Sequence, residues 1–349
     1  MKKILQLLIA LVLISVVCVY VVNYFKHQTP ENNIVSEETM HIVFGIDNNY
    51  VEPLNVTITS ILWNNKNNPI QFHVISEDLT LNSKERIRKV ISRFHNAKVS
   101  FYNMIVPKEF EKITGREDVS KATYLRLYAM ELLPKEINKV LYLDGDIIVD
   151  GKLKSFYDMP FNDNYIIGVK DSCWEEEHIK RLKQYKLKQY INAGVLFFNM
   201  KLLHKECTLN KIVEFVYDNL NNEKINLADQ DIINIFWKDK ILTTDEIYNT
   251  NMRIRMEKKP IVLHYLGNGK PWEGSESWSF YDYIQRIPWH IYNGLYQNVI
   301  KDNSYAKTIW YITLRDIYNG SVFRFYKIID GYNQYINYPI TNFISKLID

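Results

Sequence analysis

From His41 onward the chain alternates short apolar runs with amphipathic stretches: HIVFGI, a helix opening at Pro53, PIQFHVI, a helix from about Asn82 to His95, then KVSFYN. Proline is favoured at a first helical position because its missing N–H had no partner there, and Asn82 or Ser83 can cap the second helix. After a polar loop, ATYLRLYAMELL carries apolar residues at helical spacing and stops at Pro134. KVLYLDGDIIV, YIIGVK, GVLFFNM and PIVLHYL read as further strands, with LADQDIINIFW as a helix before the last of them. Alternation of this kind predicts an α/β fold, a mostly parallel sheet with helices on both faces. A chain of 349 residues has room for one large domain of this class plus appendages.

Bulk properties remove several functions. The formal charge of +3 arises from nearly balanced totals, so nothing argues for nucleic acid, which calls for clustered Lys and Arg. The three cysteines, Cys18, Cys173 and Cys207, have no metal-ligand spacing, which leaves neither a disulfide framework nor a structural zinc site to expect. At the N-terminus Lys2 and Lys3 precede a run from Ile4 to Val22 without a charge. That length predicts a transmembrane helix within an anchor over residues 1–25, uncleaved because no small-x-small site follows. A polar stalk occupies 26–39, the catalytic domain 40–285, and a segment rich in Tyr, Trp and Ile, 286–349, reads as a helical cap or a membrane-associated surface. Cationic residues favour the cytoplasmic side. The expectation is therefore a single-pass protein, type II with a lumenal catalytic domain if eukaryotic, or an inner-membrane protein if bacterial. Of two sequons, Asn55 begins a core helix and Asn319 would report the membrane side.

The chemistry centres on Asp144-Gly145-Asp146. An apolar strand that feeds two carboxylates presents both at its carboxyl end, where ligands bind in open α/β sheets. Hard divalent cations bridge such carboxylates to substrate phosphates, so Mg²⁺ or Mn²⁺ holding a diphosphate is the natural occupant. A phosphatase-type pair would need a downstream Lys and a second acidic pair, and neither is evident. HYLGNGKPW, residues 264–272, adds an imidazole at His264 that can ligate a metal and Lys270, a point charge for phosphate. Gly267 and Gly269 allow backbone to approach an anion.

GIDNNY, YLRLY, LYLDGDIIV, YINAGVLFFNM, LADQDIIN and HYLGNGKPW, in this order and spacing, resemble glycosyltransferase family 8, which holds lipopolysaccharide galactosyltransferases and glycogenin. The similarity runs from about Met40 to Trp272. The resemblance implies a GT-A fold, Rossmann-like, with a UDP-sugar donor, Mn²⁺ dependence and transfer of galactose or glucose with retention of configuration. The acceptor would be a glycan, lipid-linked or protein. By the same resemblance Asp144, Asp146 and His264 hold the metal, and Lys270 and the backbone at Gly267 meet the diphosphate. Asp47, Asn49 and Tyr50 receive the uridine. Here Asn48 follows Asp47 where the family often has a second acid. Arg126 reaches the donor, Asn192 and the pair Asp229 and Gln230 line the sugar, and Asp171 is a further sugar or acceptor contact.

In this resemblance the group nearest the anomeric carbon is the amide of Gln230, a poor nucleophile, with Asp229 beside it. That favours attack on the face from which the phosphate departs over a covalent intermediate. Two rivals stand beside this reading. A sugar nucleotidyltransferase would carry a Gly-rich phosphate loop after its first strand, which GIDNNY lacks. A catalytically inactive, membrane-anchored sugar-binding or scaffold protein would share the fold, but would have no reason to keep Asp144, Asp146, His264 and Lys270 together.

Overall fold

Met40–Gly45 forms β1, Ile70–Ser76 β2 and Ala97–Asn103 β3, in-register parallel neighbours joined by helices Val51–Asn64 and Leu81–Ile91. The computed structural model describes residues 14–23, 38–113, 121–171, 173–206, 209–251, 258–273, 280–301 and 305–317. They fall into two units. The larger comprises Ile34–Ile254 with Lys258–Asn268, and the smaller Met1–Asn33, Arg255–Glu257 and Gly269–Asp349.

The larger unit continues with β4 (Val140–Leu143), β5 (Ile147–Val149), β6 (Ile166–Lys170), β7 (Ile191–Phe198), β8 (Ile241–Thr244), β9 (Thr250–Asn251) and β10 (Val262–His264). Its main sheet has the order β3-β2-β1-β4-β7-β6-β8, and β5-β10-β9 form a second, small sheet. Among the described strands of the main sheet only β7 runs against the others, so the mostly parallel α/β architecture is present as expected. Successive side chains of β7 point to opposite faces, and both faces are covered. Phe197 packs on Tyr157 and Phe161, while its neighbour Phe198 meets Trp237.

Strand order reverses between β1 and β4, one half of the chain building outward through β2 and β3 and the other through β7, β6 and β8. Ligand crevices in such sheets lie beyond the carboxyl ends of strands at this switch point. β1 delivers Asp47 there, and β4 delivers Asp144. Because β7 is reversed, it brings its first residues, Asn192 to Gly194, to the same edge.

Local details depart from expectation at the caps. Helix Leu81–Ile91 is capped by Thr80, whose hydroxyl accepts from the Ser83 N–H at 3.1 Å, rather than by Asn82 or Ser83. ATYLRLYAMELL forms 3-10 turns over Lys121–Tyr128 and a short helix over Ala129–Leu132. Asn55 is fully buried in helix Val51–Asn64.

In the smaller unit helices Phe280–Ile300 and Tyr305–Ile317 pack together and bury Trp289, Tyr292, Tyr296, Ile309 and Ile312. Gly294 makes the close crossing feasible, since a Cβ there would lie 2.1 Å from the Tyr311 ring.

The expected transmembrane helix is corrected. Among the described residues no helix is long and apolar enough to cross a membrane. Residues 14–23 are helical. Residues 1–13 and 24–37, which hold the rest of the expected anchor and most of the stalk, lie outside the described residues. Helix Phe280–Ile300 has the length but carries Gln285, Arg286, Asn293 and Asn298. The single-pass localisation, type II or inner-membrane, rested on that helix and is corrected with it, and the membrane as a partner has no support among the described residues. Cys207, Asn319 and the end of the chain from 318 also lie outside the described residues.

Candidate active site

β4 ends at Leu143 and hands Asp144 to the turn Gly145-Asp146, from which β5 departs. β10 runs antiparallel to β5 with His264 opposite Ile147, so its last side chain arrives beside the second aspartate. His264 Nε2 lies 3.2 Å from Asp146 Oδ1 and 3.6 Å from Asp144 Oδ2. One ligand atom from each of the three residues lies within 4.8 Å of the others.

Two elements hold this turn. From helix Val51–Asn64 the buried Thr57 hydroxyl donates toward the carbonyls of Gly145 at 3.0 Å and Ile147 at 2.7 Å. One and two turns further on, Ser60 Oγ accepts the Val149 N–H at 2.9 Å and Asn64 Nδ2 donates to the Val149 carbonyl at 2.8 Å. From β7, the Gly194 carbonyl accepts the Asp144 N–H at 2.9 Å. A Cβ at position 194 would lie 2.0 Å from His264 Cε1 and 2.8 Å from Asp144 Oδ2, so only glycine leaves the imidazole and the carboxylate their places.

A chain of hydrogen bonds leads away from His264. Its Nδ1 meets Asn249 Oδ1 at 2.8 Å, Asn249 Nδ2 donates to Asn192 Oδ1 at 2.9 Å, and Asn192 Nδ2 donates to Gln230 Oε1 at 3.1 Å. Gln230 Nε2 donates to Asp171 Oδ2 at 3.1 Å, and Asp171 stands 3.7 Å from His178 Nε2. Backbone groups fix the direction of every amide. The Gly194 N–H donates to Asn192 Oδ1 and the Ala193 N–H to Gln230 Oε1, each at 3.0 Å, so these atoms are oxygens and the remaining amide atoms follow. His264 therefore bears a proton on Nδ1 and turns Nε2 to both carboxylates. A divalent cation among these three groups would take the Nε2 lone pair together with oxygens of both aspartates. With the cradle that Gly194 leaves open, this donor set of two carboxylates and one imidazole fits a divalent metal ion.

Charge points the same way. Buried Arg126 pairs with Asp144 Oδ1 at 3.1 Å and Asp229 Oδ2 at 2.8 Å, and its guanidinium donates to the carbonyls of Thr123 and Ala193. It also lies over the ring of Tyr142, whose hydroxyl donates to Asp144 Oδ1 at 2.6 Å. Three carboxylates, Asp144, Asp146 and Asp229, stand against this one guanidinium. Asp229 also accepts from the Thr123 hydroxyl. Burial pushes the Asp229 carboxyl up to about 6, against the pull of Arg126, and burial likewise raises Asp171, against His178 and Gln230. Just ahead of Asp229 and Gln230, the buried Ala228 takes φ +49. This left-handed conformation in a non-glycine residue costs on the order of 1 kcal/mol and sends the two following side chains to Arg126 and Asn192.

The sequence model of a family described as "Glycosyl transferase family 8" matches residues 41–276, which is more than half of the chain and contains every residue above. The chain belongs to glycosyl transferase family 8. It is a glycosyltransferase. A lipopolysaccharide 1,2-glucosyltransferase of Escherichia coli K12 is 26% identical over 72% of this chain and 78% of its own length. A lipopolysaccharide 1,3-galactosyltransferase of Salmonella typhimurium is 26% identical over 75% and 79%. Among solved structures, the galactosyltransferase LgtC in complex with donor and acceptor sugar analogs superposes with a TM-score of 0.59 at 22% identity, covering 76% of this chain and 96% of LgtC. That likeness shows the fold.

Of the residues expected to serve a family 8 enzyme, Asp144, Asp146, His264, Arg126, Asp229, Asn192, Gln230 and Asp171 form one connected cluster. Tyr50 joins it, its ring 3.2 Å from where a Gly145 Cβ would stand. Asp47 caps the 3-10 turn Asn48–Tyr50, its Oδ1 accepting from the N–H groups of Asn49 at 2.8 Å and Tyr50 at 3.2 Å. Asn48 turns to the neighbouring loop, donating to the Asp78 carbonyl at 2.7 Å and accepting from Thr80 N–H and Ser83 Oγ. An acid there could not make the first of these bonds. Gly267 has φ +66, which its turn requires. Lys270 belongs to the smaller unit, where its N–H donates to Glu273 Oε2 at 2.9 Å. Sequence reasoning missed Gly194, Asn249, Thr57, Thr123 and Tyr142. A glycine inside a largely apolar strand marks a close approach, and polar residues repeating on one helical face mark a buried polar stripe. Those signals were available for Gly194 and for Thr57, Ser60 and Asn64.

Proposed function

We propose that the chain transfers a hexose, galactose or glucose, from a UDP-sugar to a carbohydrate, lipid-linked or protein acceptor, with retention of anomeric configuration. In this reading Mn²⁺ or Mg²⁺ is held by Asp144, Asp146 and His264. The observation that carries it is the geometry of those three groups at the switch point of the sheet, where carboxylates outnumber the guanidinium. The hexosyltransferase names of the relatives support the choice of sugar.

Bound there, the cation would supply Lewis-acid stabilisation for charge that develops on the departing diphosphate. Arg126 fixes the rotamers of Asp144 and Asp229 and so acts on the donor through both. Asp47, Asn49 and Tyr50 stand beyond β1 for the uridine, and the turn at Gly267 offers backbone to the diphosphate. The resemblance, not the geometry, carries the assignment of Lys270 to the diphosphate.

Gln230 has both oxygen lone pairs occupied by Asn192 and Ala193 and both amide hydrogens committed to Asp171 and the Tyr190 hydroxyl. An amide so engaged is a rigid surface for the sugar and a poor nucleophile. Asp229 accepts from the Thr123 hydroxyl through Oδ1 and is held beside Arg126 as an ion pair through Oδ2. Both facts favour attack on the face of departure, with the leaving phosphate oxygen taking the acceptor proton. Asn192 keeps one amide hydrogen for a sugar hydroxyl.

The test is UDP release by the purified protein from UDP-galactose and UDP-glucose, with Mn²⁺, with Mg²⁺, with EDTA, and for Asp146→Ala. Metal-dependent release from one of them, lost on chelation and lost in the variant, is expected. Absence of release, together with no rise in melting temperature on adding UDP and Mn²⁺, would overturn the reading.

A further inference from the structure

Asn249 follows the 3-10 turn Glu246–Tyr248, buried and outside every motif that marks the family in this sequence. Its two side-chain ends face different halves of the site. Oδ1 holds the Nδ1 proton of His264 at 2.8 Å, and Nδ2 donates to Asn192 Oδ1 at 2.9 Å. The two ends cannot exchange, because Asn192 Oδ1, pinned by the Gly194 N–H, would then face a second oxygen with no proton between them. Among the described residues, no other side chain links the imidazole to the amides of Asn192 and Gln230 along this path.

We infer that Asn249 is a positioning residue with two separable duties: it sets His264 in the tautomer that presents Nε2 to the metal, and it ties that imidazole to Asn192 and Gln230, so that the metal end and the sugar end of the site keep a fixed separation. This rests on the metal reading above. Outer partners of a metal-bound imidazole orient its ring and hold its tautomer. Here the partner is an amide rather than a carboxylate, and an amide, unlike an ionised carboxylate, can accept from the histidine while donating to a second amide. The substitution Asn249→Asp would keep the first duty and lose the second. Asn249→Ala would lose both.

The experiment compares wild type, Asp146→Ala, Asn249→Ala and Asn249→Asp in the full chain, by Mn²⁺ affinity from electron paramagnetic resonance and by hydrolysis of UDP-galactose and UDP-glucose. Circular dichroism checks that each is folded. Asn249→Ala is expected to weaken Mn²⁺ binding about 10- to 100-fold. Asn249→Asp should keep Mn²⁺ affinity within about threefold, as a carboxylate still orients the imidazole, yet lose about 10-fold or more in kcat. Wild-type Mn²⁺ affinity in a folded Asn249→Ala would overturn the inference while leaving the metal reading intact. Equal losses of metal affinity in the two Asn249 variants would overturn the division of duties. Failure of the wild type itself to bind Mn²⁺, or of Asp146→Ala to weaken it, would bring down the metal reading and this inference with it.

Discussion

At the carboxyl end of β4, carboxylates outnumber their partners: three of them face one guanidinium and the imidazole of His264. A short way along the same edge, around the start of β7, the amides of Gln230, Asn192 and Asn249 match donor to acceptor through two backbone N–H groups that allow no other arrangement. The first region keeps an electrostatic deficit in a place that a ligand can reach. The second has settled nearly all its polar demands within the protein and is correspondingly stiff. A binding centre of this kind divides the work, one part attracting and the other measuring position.

Removing the guanidinium of the charged region tests that division most severely. Arg126→Ala leaves Asp229 buried and Asp144 unsupported, and breaking such a pair costs about 3–5 kcal/mol. Urea denaturation should show a loss of that size, and a loss below about 1 kcal/mol would mean that the charged region is not held by this pair. Next is Gly194→Ala, which adds no charge and removes no ligand. Its methyl group would displace His264, so Mn²⁺ affinity and UDP release should fall about 100-fold. Unchanged affinity in a folded variant would show that the imbalance does not depend on the placement of the imidazole.

The effect of pH is smaller and has a definite sign. The Asp229 carboxyl is raised from 3.8 to about 6 in the folded chain, so between those values the native state holds a proton that the unfolded chain has released. Native stability therefore declines as pH climbs through that window and levels off above it. Relative to Asp229→Asn, the melting temperature of the wild type should drop between about pH 4 and 6, by the equivalent of about 1–3 kcal/mol. A difference that is flat across this range, or one that rises, would contradict the burial of that charge. Smallest is Asn48→Asp, away from both regions, which loses one hydrogen bond to the Asp78 carbonyl. It should cost about 1 kcal/mol and leave Mn²⁺ affinity unaltered. A large loss of donor hydrolysis there would extend the charged region across β1.

Much of this was legible in the sequence. Period and punctuation marked the strands and their mostly parallel order, and an apolar strand ending in Asp144 and Asp146 pointed to the carboxylate cluster that could hold a metal. His264 was legible through its glycine-rich context. The coupling between these residues was not, because it depends on strand register: nothing local to β5 or β10 states that Ile147 will lie opposite His264. Asn249 left no trace for a related reason, since a single amide in a loop looks the same whether it faces water or a histidine. The N-terminal expectation rested on hydropathy, and among the described residues no helix combines the length and the apolar composition that crossing a bilayer requires.

The pairing of β10 with β5 also bears on how such a chain matures. Those two strands are separated by β6, β7, β8, β9 and the helices among them, so theirs is one of the longest-range closures in the larger unit, and closures of this type come late in folding. Before it is made, His264 is absent from the side of Asp144 and Asp146. On the metal reading proposed above, a cation that required all three would then bind only chains that have finished, and by mass action would draw the population toward them. Uptake of the ion would in this way serve as a final inspection of each newly made molecule.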